Sequence, residues 1–391
     1  MNLEDAKRRM CDEIDKREVA LLEVSHQIHE HPELAYEERF AHDLLTEVLD
    51  DENLAPERGA FGVPTAFAAQ AGSEGPRVAV LCEYDALPEI GHACGHNIIA
   101  AAGLGAGLAA AALADELGGR VLLLGTPAEE GGAGKVRLAD AGAFEGVDAA
   151  MMVHPAGADL CTMSAIAVQQ LWVEYHGAAA HAAAFPHKGR NALDAAVLGY
   201  MNIAALRQHI RPNERIHGVF THAGDKPNIV PKFAAAQWYV RAENLRRLEP
   251  LKERVLTCLQ AGADAAGCEL RSEWKESAYA DLNDNDPFMR LYASNAHALG
   301  RDVVDPRQAE VRVVGSTDMG NVSYLVPSIH PMIKVSPPHV SIHSPEFAEY
   351  ARSGDGDRAV IDGAKAMAMT VADLWLEAES LTAVRHAFAD T

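Results

Sequence analysis

Cys94 and His96 in GHACGHN, Glu129 and Glu130 in TPAEEGG, His154 in MMVHP and His343 in SIHSP are the residues whose types could do hydrolytic chemistry together. Thiolate, imidazole and carboxylate are the donors that borderline divalent ions take. Each residue alone has a plainer explanation. A Cys-x-His on a turn is ordinarily a packed Cys beside a surface His, and adjacent glutamates suit the start of a helix. A His before Pro155 can end a strand with its ring hydrogen-bonded, and His343 by itself is unremarkable. Together they point to a two-metal centre. A divalent cation lowers the pKa of its water from about 16 to near 7, which makes attack on an amide carbonyl feasible at neutral pH.

Such a centre needs elements that deliver the donors to one place. Val78–Leu81, Val121–Leu124 and Ala149–Val153 are apolar runs too short for helices, and they read as buried parallel strands. The first leads through Glu83-Tyr84-Asp85 toward the Cys/His pair, the second runs into the paired glutamates, and the third ends on His154. Open α/β sheets collect ligands just beyond the carboxyl ends of their strands.

The first 165 residues alternate helix and strand. An amphipathic opening helix runs to about His29, where His31-Pro32-Glu33 breaks it, and Glu37–Asp50 resumes the helical pattern. After about residue 165 the pattern changes. Leu171–Gly177, His217–His222, Phe233–Glu243 and Cys268–Tyr279 read as strands, with helices over Asn191–Ile210 and Leu245–Gly267. That β-α-β-β-α-β order is the ferredoxin-like unit. Beyond the polar linker Asp281–Asp286, a helix at Pro287–Leu299 and a strand at Met332–Val335 return to the earlier style, and His343 lies there. The expected fold is therefore α/β: a mostly parallel-sheet metallohydrolase domain (1–165 and 284–391) with an inserted ferredoxin-like α+β lid and dimerisation domain (166–283).

Composition bounds the partners. A chain of 391 residues with 48% apolar content can build sizeable cores, and a formal charge of −22 disfavours nucleic acid and anionic membrane surfaces. The cysteines at 11, 82, 94, 161, 258 and 268 show no paired spacing, and the opening MNLEDAKRRMCDEIDKRE is charged throughout, so a cytoplasmic setting is expected. Ile98–Ala114 carries no charge, but its Ala/Gly composition reads as a tightly packed buried helix, not a membrane span.

HPELAYEE, EYDALPEIGHACGHN, PAEEGGAGK, KPNIVP and GSTDMG, in this order, resemble metallopeptidase family 20 over essentially the whole chain. The similarity is to the amidohydrolase branch that holds aminobenzoyl-glutamate hydrolases and aminoacylase-1-like dipeptidases, with carboxypeptidase G more distant. The resemblance implies that Cys94 bridges two divalent ions, Zn or Mn with Co an option, and that Glu130 and His343 complete one half of the centre and His96 and His154 the other. It implies a general-base role for Glu129 and a ligand-orienting role for Asp85. In the inserted domain it implies that His181 reaches the site of a second protomer in a homodimer. It assigns Asn228 and Arg241 to the far end of the substrate, where Arg241 could fork onto a carboxylate. Two departures bear on substrate and metal preference: Glu83-Tyr84-Asp85 stands where many relatives carry Asp-Met-Asp, and Asn97 where many carry Asp. The expected activity is hydrolysis of small N-acyl amino acids or dipeptides with a free carboxylate. The rival readings are a silent acyl-amino-acid binder and a metal-dependent phosphoesterase.

Overall fold

The computed structural model describes residues 1–308 and 314–389. They fall into two compact units, the described residues within Met1–Ser164 and Leu282–Thr391 forming one and Ala165–Asp281 the other.

In the first unit, RVAVLC and RVLLLG are apolar on both faces and form the strands Arg77–Cys82 and Arg120–Gly125. They sit in the middle of a sheet ordered Glu57–Arg58, Phe67–Ala71, Arg120–Gly125, Arg77–Cys82, Ala149–Met151 and Ser328–Ile329. Four strands run parallel, from Arg120–Gly125 to Ser328–Ile329, and Phe67–Ala71 pairs antiparallel with both Arg120–Gly125 and Glu57–Arg58. Strands covered on both faces are expected to be apolar throughout, as these are.

The helix His96–Leu117 lies on this sheet, and its glycines explain how closely. A Cβ at Gly103 would stand 2.7 Å from the carbonyl oxygen of Leu81, and one at Gly107 would stand 2.2 Å from the Leu123 side chain. Helices Leu3–Glu30 and Gly354–Leu376 pack against the same helix. It is long and apolar enough to cross a bilayer, yet most of it is buried within the unit.

One expected strand is shorter than its apolar run. Ala149–Met151 stops before Val153, and His154 opens a second short strand, His154–Ala156, parallel to Met332–Lys334. The partner strand breaks at the same level, because Pro331 has no N–H to continue the ladder. His154 N donates to Pro331 O at 2.9 Å across this jog. His154 therefore begins a strand instead of ending one.

The second unit is a four-stranded antiparallel sheet ordered Glu269–Tyr279, Ala167–His176, Phe233–Ala242 and Arg215–His222. Leu171, Val173 and Tyr175 are buried while Trp172 and Glu174 face out, the period-two signature of a half-covered sheet. Helices Ala192–Leu206 and Leu245–Ala266 pack together and on the sheet, so the element order is β-α-β-β-α-β. Arg215–His222 is an edge strand whose Val219 and Phe220 are exposed.

Candidate metal centre

Three loops of the first unit bring the donors together. The chain leaves the Arg77–Cys82 strand through Glu83-Tyr84-Asp85, and Tyr84 anchors it by donating from its buried hydroxyl to Thr65 O at 2.5 Å. Cys94 is then followed by Gly95 at φ +76°, where a Cβ would meet Pro155 Cγ at 2.5 Å. Only glycine lets the turn press Cys94 against the strand of His154 while His96 starts its helix. Glu129 and Glu130 lie in the turns after Arg120–Gly125, and Glu130 N donates to Asp85 Oδ2 at 2.9 Å. His343, also at positive φ, is tied to the Cys94 turn by its N–H to Ala93 O at 2.9 Å.

Cys94 Sγ stands 3.4 Å from His154 Nε2 and 3.3 Å from His343 Nε2. His343 Nε2 is 3.1 Å from Glu130 Oε1, which is 3.9 Å from His96 Nε2. The donors fall into two groups sharing the thiol, Cys94 with His96 and His154, and Cys94 with Glu130 and His343; within each, the ligand atoms lie within 4.8 Å of one another. Glu129 meets the same test with His96 and Glu130.

These residues fit a divalent cation on two counts. His96 Nδ1 is held by Asp85 Oδ1 at 3.0 Å, which leaves Nε2 buried with no well-formed hydrogen bond. His154 Nδ1 is likewise occupied, 2.8 Å from Pro155 O, so its Nε2 faces the thiol. Metal-ligating histidines are characteristically fixed through the second nitrogen in this way. Charge agrees. Burial, and then the neighbouring Glu130, hold the Cys94 thiol well above its ordinary pKa, and burial takes His154 down to about 3. A cation there would convert the thiol to thiolate and meet a ring already neutral.

Burial and the charges of Glu83, Glu130 and Asp318 push the Glu129 carboxyl well above its ordinary value, against the pull of Lys135. Burial opposes ionisation of Glu130 too, but its hydrogen bond to His343 and the nearby His96 hold its pKa below the usual value. Both glutamates border a cavity of about 410 Å³ together with Cys94, His154, His330 and His343. Met163, Met332, Val340 and Ile342 supply its apolar wall.

His181, Asn228 and Arg241 belong to the second unit. His181 bridges to Ile229, Ala182 N donates to Asn228 O at 3.1 Å, and His181 Nδ1 accepts from Ala184 N at 3.2 Å. His181 and Asn228 are thus neighbours on the exposed surface of that unit. Arg241 lies on the strand Phe233–Ala242, with its guanidinium 5.6 Å from the Tyr239 ring centre.

Sequence reasoning gave no role to a further layer of residues around the centre. Lys135 Nζ lies 2.5 Å from Glu83 Oε1 and 2.6 Å from Asp318 Oδ1, with all three side chains fully buried. Lys135 closes the PAEEGGAGK motif and Asp318 lies within GSTDMG, so charges set among Gly and Ala residues were the available signal. His330 was missed as well. It is buried in the jog beside His154, ring centres 5.3 Å apart, and its ring hydrogen-bonds no other residue among those described. A lone His between two apolar stretches, SIHPMI, gave little hint.

Comparison with known proteins gives one picture. Peptidase family M20/M25/M40 matches residues 80–373. The chain is 39% identical to the Xaa-Arg dipeptidase of Mus musculus, over 99% of this chain and 93% of the mouse protein. It is 28% identical to a p-aminobenzoyl-glutamate hydrolase component of Escherichia coli, over 96% of this chain and 93% of that protein. Among solved structures, an aminobenzoyl-glutamate utilization protein from Klebsiella pneumoniae superposes with a TM-score of 0.75 at 19% identity, covering 96% of this chain and 100% of the other. A Bacillus subtilis protein described as a dinuclear metal binding peptidase from the M20 family gives 0.71 at 20% identity, covering 92% and 99%. These two likenesses show a shared fold.

Proposed function

The chain belongs to peptidase family M20/M25/M40 and is a hydrolase of amide bonds; from that premise we propose that it is a two-metal dipeptidase whose first candidate substrates are dipeptides ending in a cationic residue. The observation that carries the metal reading is the pair of donor groups sharing Cys94, with Glu129 on the rim of the same cavity. The substrate reading is supported by the mouse relative, an Xaa-Arg dipeptidase, and by the charge of −22, which raises the local concentration of cationic ligands. Small N-acyl amino acids remain in the same class.

Cys94, His96 and His154 would hold one ion and Cys94, Glu130 and His343 the other, Zn, Mn or Co being compatible with the donors. Bound there, divalent ions supply Lewis-acid polarisation of a carbonyl and a more acidic water. Glu129 takes the proton of the attacking water on its carboxylate and returns it to the leaving amine nitrogen. Burial and the charges of Glu83, Glu130 and Asp318 raise its pKa, the direction that strengthens a carboxylate as a proton acceptor. Asp85 keeps the His96 ring in one tautomer and orientation. Asn228 and Arg241 hold the far end of the substrate, where Arg241 forks onto its free carboxylate, and His181 donates to the oxyanion of a partner protomer's substrate. The exposed edge strand Arg215–His222 supports pairing of two copies through the second unit. The surroundings proposed are cytoplasmic.

Purified protein should be assayed on Xaa-Arg and Xaa-Lys dipeptides, p-aminobenzoyl-glutamate, N-acetyl amino acids and p-nitrophenyl phosphate, before and after chelation and reloading. Turnover of the dipeptides that chelation abolishes and Zn, Mn or Co restores is expected. Phosphate release without amide cleavage would overturn the assignment.

A further inference from the structure

Lysine is almost never fully buried unless paired, and a buried ion network is a poor way to gain stability. Yet Lys135, Glu83 and Asp318 are all wholly buried, directly behind the donor cluster. Asp318 is committed to Lys135 through both oxygens, accepting from Nζ at 2.6 Å and from the Lys135 backbone N–H at 2.9 Å. Glu83 is split. One oxygen is on Lys135 at 2.5 Å, and the other lies 3.5 Å from His96 Nε2, the nitrogen that Asp85 leaves available. His96 is thus flanked by two acids in different roles: Asp85 orients the ring from Nδ1, while Glu83 puts negative charge beside the face that would meet an ion.

We propose that Lys135 and Glu83 are positioning residues for the Cys94–His96–His154 half of the centre: Lys135, itself fixed by Asp318, clamps Glu83 so that its second oxygen stands beside His96 Nε2. Two physical consequences follow. Glu83 attracts a cation to that half-site without needing to move. Lys135 confines by ion pairing a Glu83 carboxylate that forms no well-aligned hydrogen bond among the described residues, and offsets the repulsion between Glu83 and Glu129. From the end of its strand the Glu83 side chain reaches both Lys135 and His96.

The inference rests on the metal reading above, and its test separates the two. Glu83→Gln keeps Lys135 paired with Asp318. Lys135→Met with Asp318→Asn removes one positive and one negative charge together, so local net charge is unchanged while the clamp is lost. For wild type and both variants, thermal melting, metal content and Zn(II) and Co(II) affinity against a competing chelator would be measured, along with the Co(II)–thiolate absorption of Cys94. Both variants should fold and bind the first ion about 10- to 100-fold more weakly, the usual effect of losing an outer partner of a ligand, with a shifted Co(II) spectrum. Wild-type affinity and spectrum in a folded variant of either kind overturns the proposal. If the double variant does not fold, Glu83→Gln decides; if neither folds, the network is structural and the proposal falls. A wild-type protein that binds no ions would instead sink the metal reading itself.

Discussion

Gly103→Ala tests whether close packing of the His96–Leu117 helix sets the register of the centre. The new methyl would lie 2.7 Å from both Leu81 O and Cys82 Sγ, and the backbone oxygen cannot swing away. Restoring ordinary contact requires the helix to retreat by roughly 0.7 Å from the strand. Overpacking of this kind costs about 1–3 kcal/mol, offset by about 1 kcal/mol of helix propensity gained by Ala over Gly. The net loss of at most about 2 kcal/mol should lower the melting temperature by no more than about 8 °C. Activity should suffer more than stability. His96 is the first residue of the displaced helix, and a misplacement near 1 Å can cost about a hundredfold in rate, so kcat should fall about 10- to 100-fold. Gly105→Ala is the control: its methyl meets the end of the rotatable Leu21 side chain at 2.8 Å and Ala364 Cβ at 3.1 Å, away from the sheet. Melting curves, metal affinity and kcat of the two variants decide. A Gly103→Ala protein that is destabilised yet turns over at the wild-type rate refutes the link between helix packing and site geometry.

Three further outcomes are expected. Glu38, buried where it accepts from Ala128 N and Thr65 Oγ1, has its pKa raised to about 7, by burial and then by the charge of Asp85. The folded chain therefore holds a proton that the unfolded chain releases between about pH 4.5 and 7, so this group's contribution to stability declines as pH rises through that window, by at most about 3.5 kcal/mol. Glu38→Gln should flatten that decline and melt higher than wild type at pH 8; an unchanged pH–stability slope would show the attribution to be wrong. His330 borders the cavity with neither ring nitrogen bonded to another described residue, so it is expected to hydrogen-bond the substrate. His330→Phe should keep both ions but lose about tenfold in kcat/KM, whereas loss of metal would make His330 a support for His154 instead. Mixing Glu129→Ala with His181→Ala protein should restore about a quarter of wild-type activity, because half the dimers are mixed and each mixed dimer rebuilds one of its two sites. Mixed dimers that stay inactive exclude a shared site.

The fold class and the donors were legible in the sequence for the same physical reason. Strands covered on both faces are apolar throughout, so Val78–Leu81 and Val121–Leu124 announce themselves, and chemistry-bearing residues just after them stand out against that background. What was not legible depended on contacts between distant segments. The strand break at Met151 depends on Pro331 in a partner strand some 180 residues on, which no local pattern of AAMMV could reveal. The Glu83–Lys135–Asp318 network joins three segments, and a charged residue in a Gly-rich loop ordinarily faces solvent. Asp85 shows the intermediate case. Family resemblance implied an orienting role, but only the structure shows that its two oxygens serve His96 Nδ1 and the Glu130 backbone N–H.

The central claim, that Glu129 moves protons while Glu130 holds metal, is tested most directly by elemental analysis paired with turnover of Glu129→Gln and Glu130→Gln. Glu129 borders the cavity with its pKa held high, while Glu130 stands 3.1 Å from His343 in a donor group that shares Cys94. Glu129→Gln should retain two ions per chain and lose about 10²- to 10⁴-fold in kcat, since an amide cannot accept the water's proton. Glu130→Gln should instead lose metal from the half-site of Cys94 and His343. Equal metal content in the two variants, or a Glu129→Gln protein that still turns over dipeptide at the wild-type rate, would contradict the account.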